Sequence, residues 1–290
     1  MTLPSTDTRV SYPDGDTVST GTVLHVEPLA DGRSAVVLDR TAFHPVDTAW
    51  PDQPADRGRM RWGAAEAQIV GGVTGGIHDG ELLLGRELPV RMGTPEWTFV
   101  VGHVIEGEAP EVGAEVEVSV DEGYRHALSA GHTGCHLASL ALDAALAEAW
   151  TKAVSTDALG APGFDAAAIQ TSRIEEFGST DVYRIGKSLR KKGFDVTALD
   201  DLDAVAARAN AALAAWVASG ASVRIERDGD AISARRTWVC ALPDQEARIP
   251  CGGTHLAGLD AVEAITVALE ATDVEGGREL RMRTTISLRG

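Results

Sequence analysis

The sequence predicts an α+β chain, a small N-terminal β-barrel followed by a metal-binding α+β domain with a mostly antiparallel sheet. Three observations predict it. Short apolar runs between glycine and proline turn signals fill the first 120 residues, the pattern of a small barrel or sandwich. Beyond Asp121 the pattern changes to amphipathic helical stretches mixed with strand pairs. Two pairs of metal-ligating side chains, His132 with His136 and Cys251 with His255, stand more than a hundred residues apart in that second part. The expected division is residues 1–120 and 121–290.

The barrel-like part is read from its strands. Thr22–Val26 and Ser34–Asp39 flank Asp31-Gly32 as a hairpin. Ala67–Val70, Trp97–Val101 and Ala114–Val120 follow, the last placing Val116, Val118 and Val120 on one face. No strong helical pattern precedes about residue 125. The stretch from Thr41 to Gly58 holds Pro45, Pro51 and Pro54 and is stiff and polar. It reads as a surface loop, or as a lid beside the site of the second part.

In the second part, Leu137, Leu140, Ala141, Ala144 and Ala145 form an apolar stripe on a helix expected from His132 to about Val154. Residues 155–169 read as a loop and Ser172–Phe177 as a strand. A second helix starts at Asp200-Asp201 and stops at Gly220. Ser222–Arg227 and Ala231–Val239 make a hairpin, and Ala264–Leu269 with Arg281–Ile286 a closing strand pair around Glu275-Gly276-Gly277.

The 290 residues are 44% hydrophobic and 24% charged, an ordinary globular composition. The net charge of −17 opposes non-specific binding to nucleic acid and gives no reason to expect DNA as a partner. Three cysteines are too few for a disulfide framework. The start, Met1 to Asp7, lacks a basic and apolar leader, and no apolar run reaches the roughly 20 residues that span a bilayer. A cytoplasmic protein without membrane partners is expected.

His132 and His136 are four residues apart, so a helix places both rings on one face. Imidazole and thiolate are the usual ligands of zinc. Either motif alone is weak, because paired histidines also occur on plain helix faces and cysteine is a common small buried residue. Together, His132, His136, Cys251 and His255 point to one Zn2+. Cys135 is off the histidine face and Cys240 lies in an apolar strand, so both are assigned to packing. Four tight protein ligands make a structural site. A catalytic site needs room for water, through weak binding of Cys251 or His255 or through a fifth position.

The motifs His132-Thr133-Gly134-Cys135-His136 and Cys251-Gly252-Gly253-Thr254-His255 resemble those of the editing domain shared by alanyl- and threonyl-tRNA synthetases and of the free-standing alanyl-tRNA editing proteins, the AlaX group. Val118–Asp121 through Arg125 is similar to the strand that leads into that family's metal helix. Thr41-x-Phe43-His44-Pro45 with Gln53-Pro54-Ala55-Asp56-Arg57-Gly58 is similar to its N-terminal loop motif, with Ala49-Trp50-Pro51-Asp52 in place of a glycine run. The resemblance covers about residues 20–290. It implies a small β-barrel joined to an α+β editing domain, and zinc-dependent hydrolysis of the ester of Ser- or Gly-tRNA(Ala). By residue it implies His132, His136, Cys251 and His255 as metal ligands. Thr41 and Gln53 match loop positions facing substrate, and Thr133 and Gln170 lie beside it.

A trans-acting, ATP-independent deacylase is therefore expected, with Thr41 and Thr133 as catalytic candidates and Gln53 and Gln170 binding substrate. The cationic run from Arg184 to Lys192 reads either as a solvated helix face or as phosphate contacts for the tRNA acceptor end through Lys187, Arg190 and Lys191. Hydrolysis of another small ester or amide, and a non-enzymatic domain stapled by zinc, are the competing readings.

Overall fold

A computed structural model describes residues 3–48 and 50–290. Met1, Thr2 and Ala49 lie outside the described residues, and with them the first two positions of the polar start and the Ala49 of the loop motif. The chain has a mixed α and β composition with mostly antiparallel strand pairing. It divides into two compact units, one of residues 1–126, 225–237 and 251–254, the other of residues 127–224, 238–250 and 255–290.

The first unit holds β1 (Arg9–Val10), β2 (Val18–Pro28), β3 (Arg33–Leu38), β4 (Arg40–Thr41), β5 (Gly58–Trp62), β6 (Ala65–His78), β7 (Glu81–Leu84), β8 (Thr98–Glu106) and β9 (Glu115–Val120). The short β1 and β4 pair in parallel. The other seven form one sheet in the order β5-β9-β2-β3-β8-β6-β7, and β5 also pairs with the early part of β6. Alternation explains its core: Val116 and Val118 on β9 join Val23, Val36, Leu38, Phe43, Met60, Ile69 and Ile105 in one buried cluster. Gly72 on β6 is needed there, because a Cβ would stand 2.4 Å from the Phe43 ring.

Residues Thr41 to Pro45, expected in an exposed loop, are buried. The cause is Asp56. Its carboxylate accepts the Phe43–His44 peptide N–H at 2.6 Å, and Arg125 Nε donates to it at 2.8 Å while Arg125 Nη2 pairs with its other oxygen. Arg125 Nη2 also donates to the Ala42 carbonyl at 2.8 Å. One buried ion pair thus satisfies the turn that carries Thr41 and Phe43.

The second unit begins within α1 (Glu122–Ala145), followed by α2 (Phe164–Ala168), β10 (Ile169–Glu175), β11 (Gly178–Ile185), α3 (Lys187–Lys191) and α4 (Leu202–Ala218). A three-stranded sheet contains β12 (Val223–Arg227), β13 (Arg236–Ala241) and β14 (Glu246–Pro250), and β15 (Val262–Val274) and β16 (Gly277–Leu288) end the chain. The sheet β10-β11-β16-β15 is antiparallel throughout. Asn210 fastens α4 to it, donating to the Val267 carbonyl at 3.0 Å and accepting the Val267 N–H at 2.7 Å. No helix among the described residues is long and apolar enough to cross a membrane.

Helix α1 corrects the helix expected from His132 to Val154. It starts at Glu122, because Asp121 accepts the Tyr124 N–H at 3.0 Å as a cap, and it ends at Ala145. The cationic run is also reassigned: Arg184 lies on β11, and helix covers only Lys187–Lys191. The loop expected at 155–169 contains α2. Near the end of α1, Asp143 accepts the Asp165 N–H at 2.7 Å, and the Tyr183 hydroxyl donates to Asp165 at 3.0 Å. Burial pushes the Asp143 carboxyl up to about 8 and that of Asp165 to about 6.

Two predictions follow from these buried carboxyls. Asp56→Ala leaves Arg125 buried and unpaired, so urea unfolding should show a loss of about 3–5 kcal/mol. Asp143 ionises near pH 4 once unfolded and near pH 8 when folded, so its contribution to stability is complete below about pH 4 and is lost as pH rises towards 8. Asp143→Asn keeps the acceptor for Asp165 and should flatten that decline when unfolding is measured at pH 5 and pH 8.

Candidate metal centre

The site is built on α1. Gly131 lets the helix lie against the β10–β11 hairpin, where a Cβ would meet the Glu175 carbonyl oxygen at 2.2 Å and that of Gly178 at 2.6 Å. Gly134 gives similar room to Ile286, whose Cδ1 would stand 2.4 Å from a Cβ. His132 and His136 occupy the same two turns of α1 and are turned away from that contact. Their ring centroids are 4.8 Å apart, and the His255 ring lies 4.2 Å from His132 and 4.8 Å from His136. Trp238 closes one side, with its ring 4.9 Å from His136 and 5.8 Å from His255.

The ligand atoms of His132, His136, Cys251 and His255 all lie within 4.8 Å of one another. Donors at about 2.0–2.3 Å from a tetrahedral ion stand about 3.5 Å apart, so the group has the right donor types and nearly the right spacing. A further observation favours an ion. His136 Nδ1 is buried and has no hydrogen-bond partner among the described residues. Burial lowers the His136 pKa to about 4, which keeps the ring neutral and able to ligate. Burial also pushes the Cys251 thiol up to about 12, and the Gly253 N–H at 3.4 Å from its sulfur opposes this.

The remaining candidate residues are placed as follows. Thr133 is buried on α1; its Oγ1 accepts the Leu256 N–H at 3.0 Å and lies 3.3 Å from His255 Nδ1. With that oxygen as acceptor, His255 Nδ1 carries the proton and Nε2 offers its lone pair to a metal. Gln53 grips Thr254 at both ends of its amide, donating to Oγ1 at 2.9 Å and accepting the Thr254 N–H at 3.1 Å. Gln53 therefore braces the loop between the two later ligands. Thr41 sits on β4, its hydroxyl 2.8 Å from His103 Nε2 and accepting the Phe43 N–H at 3.1 Å. Gln170 is exposed on β10 and donates to the Ile169 carbonyl at 3.1 Å. Lys187, Arg190 and Lys191 are exposed on α3.

Three supporting residues escaped the sequence reading. Trp238 lies within the hairpin segment expected at Ala231–Val239, and its position against two histidines has no local signal. His103 sits alone in a strand. Asp52, whose carboxyl burial raises to about 6, was visible only as a departure from the loop motif.

No protein-family model matches the chain. It is 38% identical over 107 residues to an alanine–tRNA ligase of Pyrobaculum neutrophilum, a match covering 37% of this chain and 9% of the ligase. An alanine–tRNA ligase of Frankia casuarinae is 27% identical over 86% of this chain and 24% of its own length. The chain thus spans about a tenth to a quarter of these ligases. The alanyl-tRNA editing protein AlaX-M of Pyrococcus horikoshii is 25% identical over 86% of both chains. The resemblance carried by the His132–His136 and Cys251–His255 motifs is borne out: the chain is similar to a free-standing alanyl-tRNA editing protein along most of its length.

Removing the Thr133 hydroxyl tests this support of the ligands. Thr133→Val should weaken metal affinity about 10- to 100-fold in competition with a chromophoric chelator, while Thr41→Val leaves it unchanged.

Proposed function

We propose that this protein is a trans-acting, metal-dependent deacylase that hydrolyses mischarged Ser- or Gly-tRNA(Ala). The observation that carries the reading is the gathering of three imidazoles and one cysteine sulfur in a chain similar over 86% of its length to an alanyl-tRNA editing protein. His132, His136, Cys251 and His255 hold the ion, and its proposed identity is zinc. Bound there, zinc polarises an ester carbonyl and lowers the pKa of water towards about 7.

The chain's own residues do the rest. Thr133 fixes the His255 ring, and Gln53 fixes the Cys251–His255 loop through Thr254. Trp238 shields the ring cluster from water on one side. Thr41 and Thr133 are the proposed catalytic hydroxyls, Gln53 and Gln170 the proposed substrate contacts, and Lys187, Arg190 and Lys191 contact phosphates of the acceptor end. A site that pairs a serine hydroxyl leaves a polar group unpaired with alanine, which favours the wrong ester. The reading includes a barrel-like domain of residues 1–120, an editing domain of 121–290, and work in the cytoplasm.

A second reading has its own observation. Four candidate protein donors are enough to close a tetrahedral site, which favours a structural ion. Deacylation of Ser-tRNA(Ala) by purified protein separates the two. The deacylase should lose turnover with chelator and regain it with added zinc, and His132→Ala should abolish turnover and keep most of the fold. A structural ion predicts that His132→Ala unfolds the second unit. Absence of metal-dependent ester loss, with Ala-tRNA(Ala) as control, refutes the deacylase.

A further inference from the structure

We infer that the outer face of the β10-β11-β16-β15 sheet is an RNA track that runs from the cations of α3 to an aromatic platform at Phe177. This rests on the deacylase reading for the kind of RNA, and on the sheet itself for the surface. Register places Arg173 opposite Thr180, and Thr180 opposite Arg283, so one row across three strands reads Arg-Thr-Arg. Directly paired residues share a face. Both arginines are exposed, and neither has an ion pair among the described residues. This is unusual in a chain of net charge −17.

The neighbouring rows differ. Arg281 is 3.5 Å from Glu279 and stands opposite Glu270, so its charge is answered locally. Arg184, further along β11, donates to the carbonyl of Glu275 and stands opposite Glu279, so the middle rows are charge-balanced and the cations without an ion pair among the described residues lie in the Arg173–Arg283 row and on α3. Beyond it, α3 presents Lys187, Arg190 and Lys191. Lys152 joins them from another segment by donating to the Lys191 carbonyl at 3.0 Å. Glu175 and Glu176 are exposed acids at the hairpin end of the track, Glu175 two residues beyond the row and Glu176 in the turn itself. From Gly178 to Ile185, β11 spans about 23 Å at roughly 3.3 Å per residue. That length suits several nucleotides of backbone, and two unpaired cations separated by a hydroxyl suit phosphates.

Phe177 marks the end of the track. It is 41% exposed, a large apolar side chain in water. Its φ is 57°, a left-handed conformation that strains a bulky residue. The backbone holds it there: the Phe177 N–H donates to the Ala127 carbonyl at 3.0 Å, and its carbonyl accepts the Ile286 N–H at 2.9 Å. The turn would be more stable with Asn or Gly. The ring keeps a large exposed area, a flat face on which a base can stack. The turn rests on α1 through the Ala127 carbonyl, one turn before Gly131, which fixes Phe177 at the hairpin end of the sheet.

The test is binding of uncharged tRNA to the full chain, followed by fluorescence anisotropy across 50–300 mM salt, with deacylation measured separately. Arg173→Gln/Arg283→Gln should lower the slope of log affinity against log salt by about 1.4–1.8, the amount for two phosphate contacts. Arg173→Lys/Arg283→Lys should keep the wild-type slope. Phe177→Asn should weaken binding about 5- to 100-fold with no change of slope, and should not lower the melting temperature. Wild-type slope and affinity in the Gln pair and in Phe177→Asn overturn the track, as does binding to anionic lipid vesicles in place of tRNA. Expected binding effects without any deacylation would uphold the track and refute the deacylase.

Discussion

The candidate metal centre depends on one close approach, the contact of the α1 backbone with the β10–β11 hairpin at Gly131. Any side chain there would collide with two carbonyl oxygens, so the helix would have to lift. Lifting α1 would carry His132 and His136 with it. It would also move Thr133, whose single oxygen anchors both the Leu256 N–H and the His255 ring. Three of the four ligands are thus referred to one helix, and the helix is referred to the sheet by a glycine.

The ligand types and half of the site geometry were legible because they are local. Spacing of four on a helix fixes two rings, and Cys-x3-His with two glycines reads as a tight loop. What decides the support of the site is not local. Gln53 and Thr254 are 201 residues apart, so no pattern along the chain shows that Gln53 spends both ends of its amide on the metal loop. The matches to editing proteins and ligases agree with the motifs and add similarity along most of the chain.

The fold was legible in class and less so in boundaries. Alternation of Val116, Val118 and Val120 located β9, and the closing strand pair was placed around its glycine turn. The start of α1 was missed although Tyr124, Ala127 and Leu128 stand at steps of three and four; the cap from Asp121 starts the helix one turn before them. The stretch from Thr41 to Pro45 read as exposed because its polarity is high, and the buried Asp56–Arg125 pair is what takes that polarity inside. The cations after Asp181 suggested one helix, whereas β11 takes the first of them and hydrogen-bonds across to β16.

The pairing of Thr41 with His103 fixes the polarity of that hydroxyl. His103 Nδ1 lies 2.9 Å from the Val36 carbonyl, which only accepts, so Nδ1 carries the hydrogen and Nε2 must accept from Thr41. Burial lowers the His103 pKa to about 4, so the ring stays in that tautomer at neutral pH. The Thr41 hydrogen is therefore committed inward, and the Phe43 N–H already occupies one of its lone pairs. Thr41 is left as a single-sided acceptor. It can sense a group that brings its own hydrogen, a hydroxyl or an ammonium, and has nothing to offer a bare carbonyl.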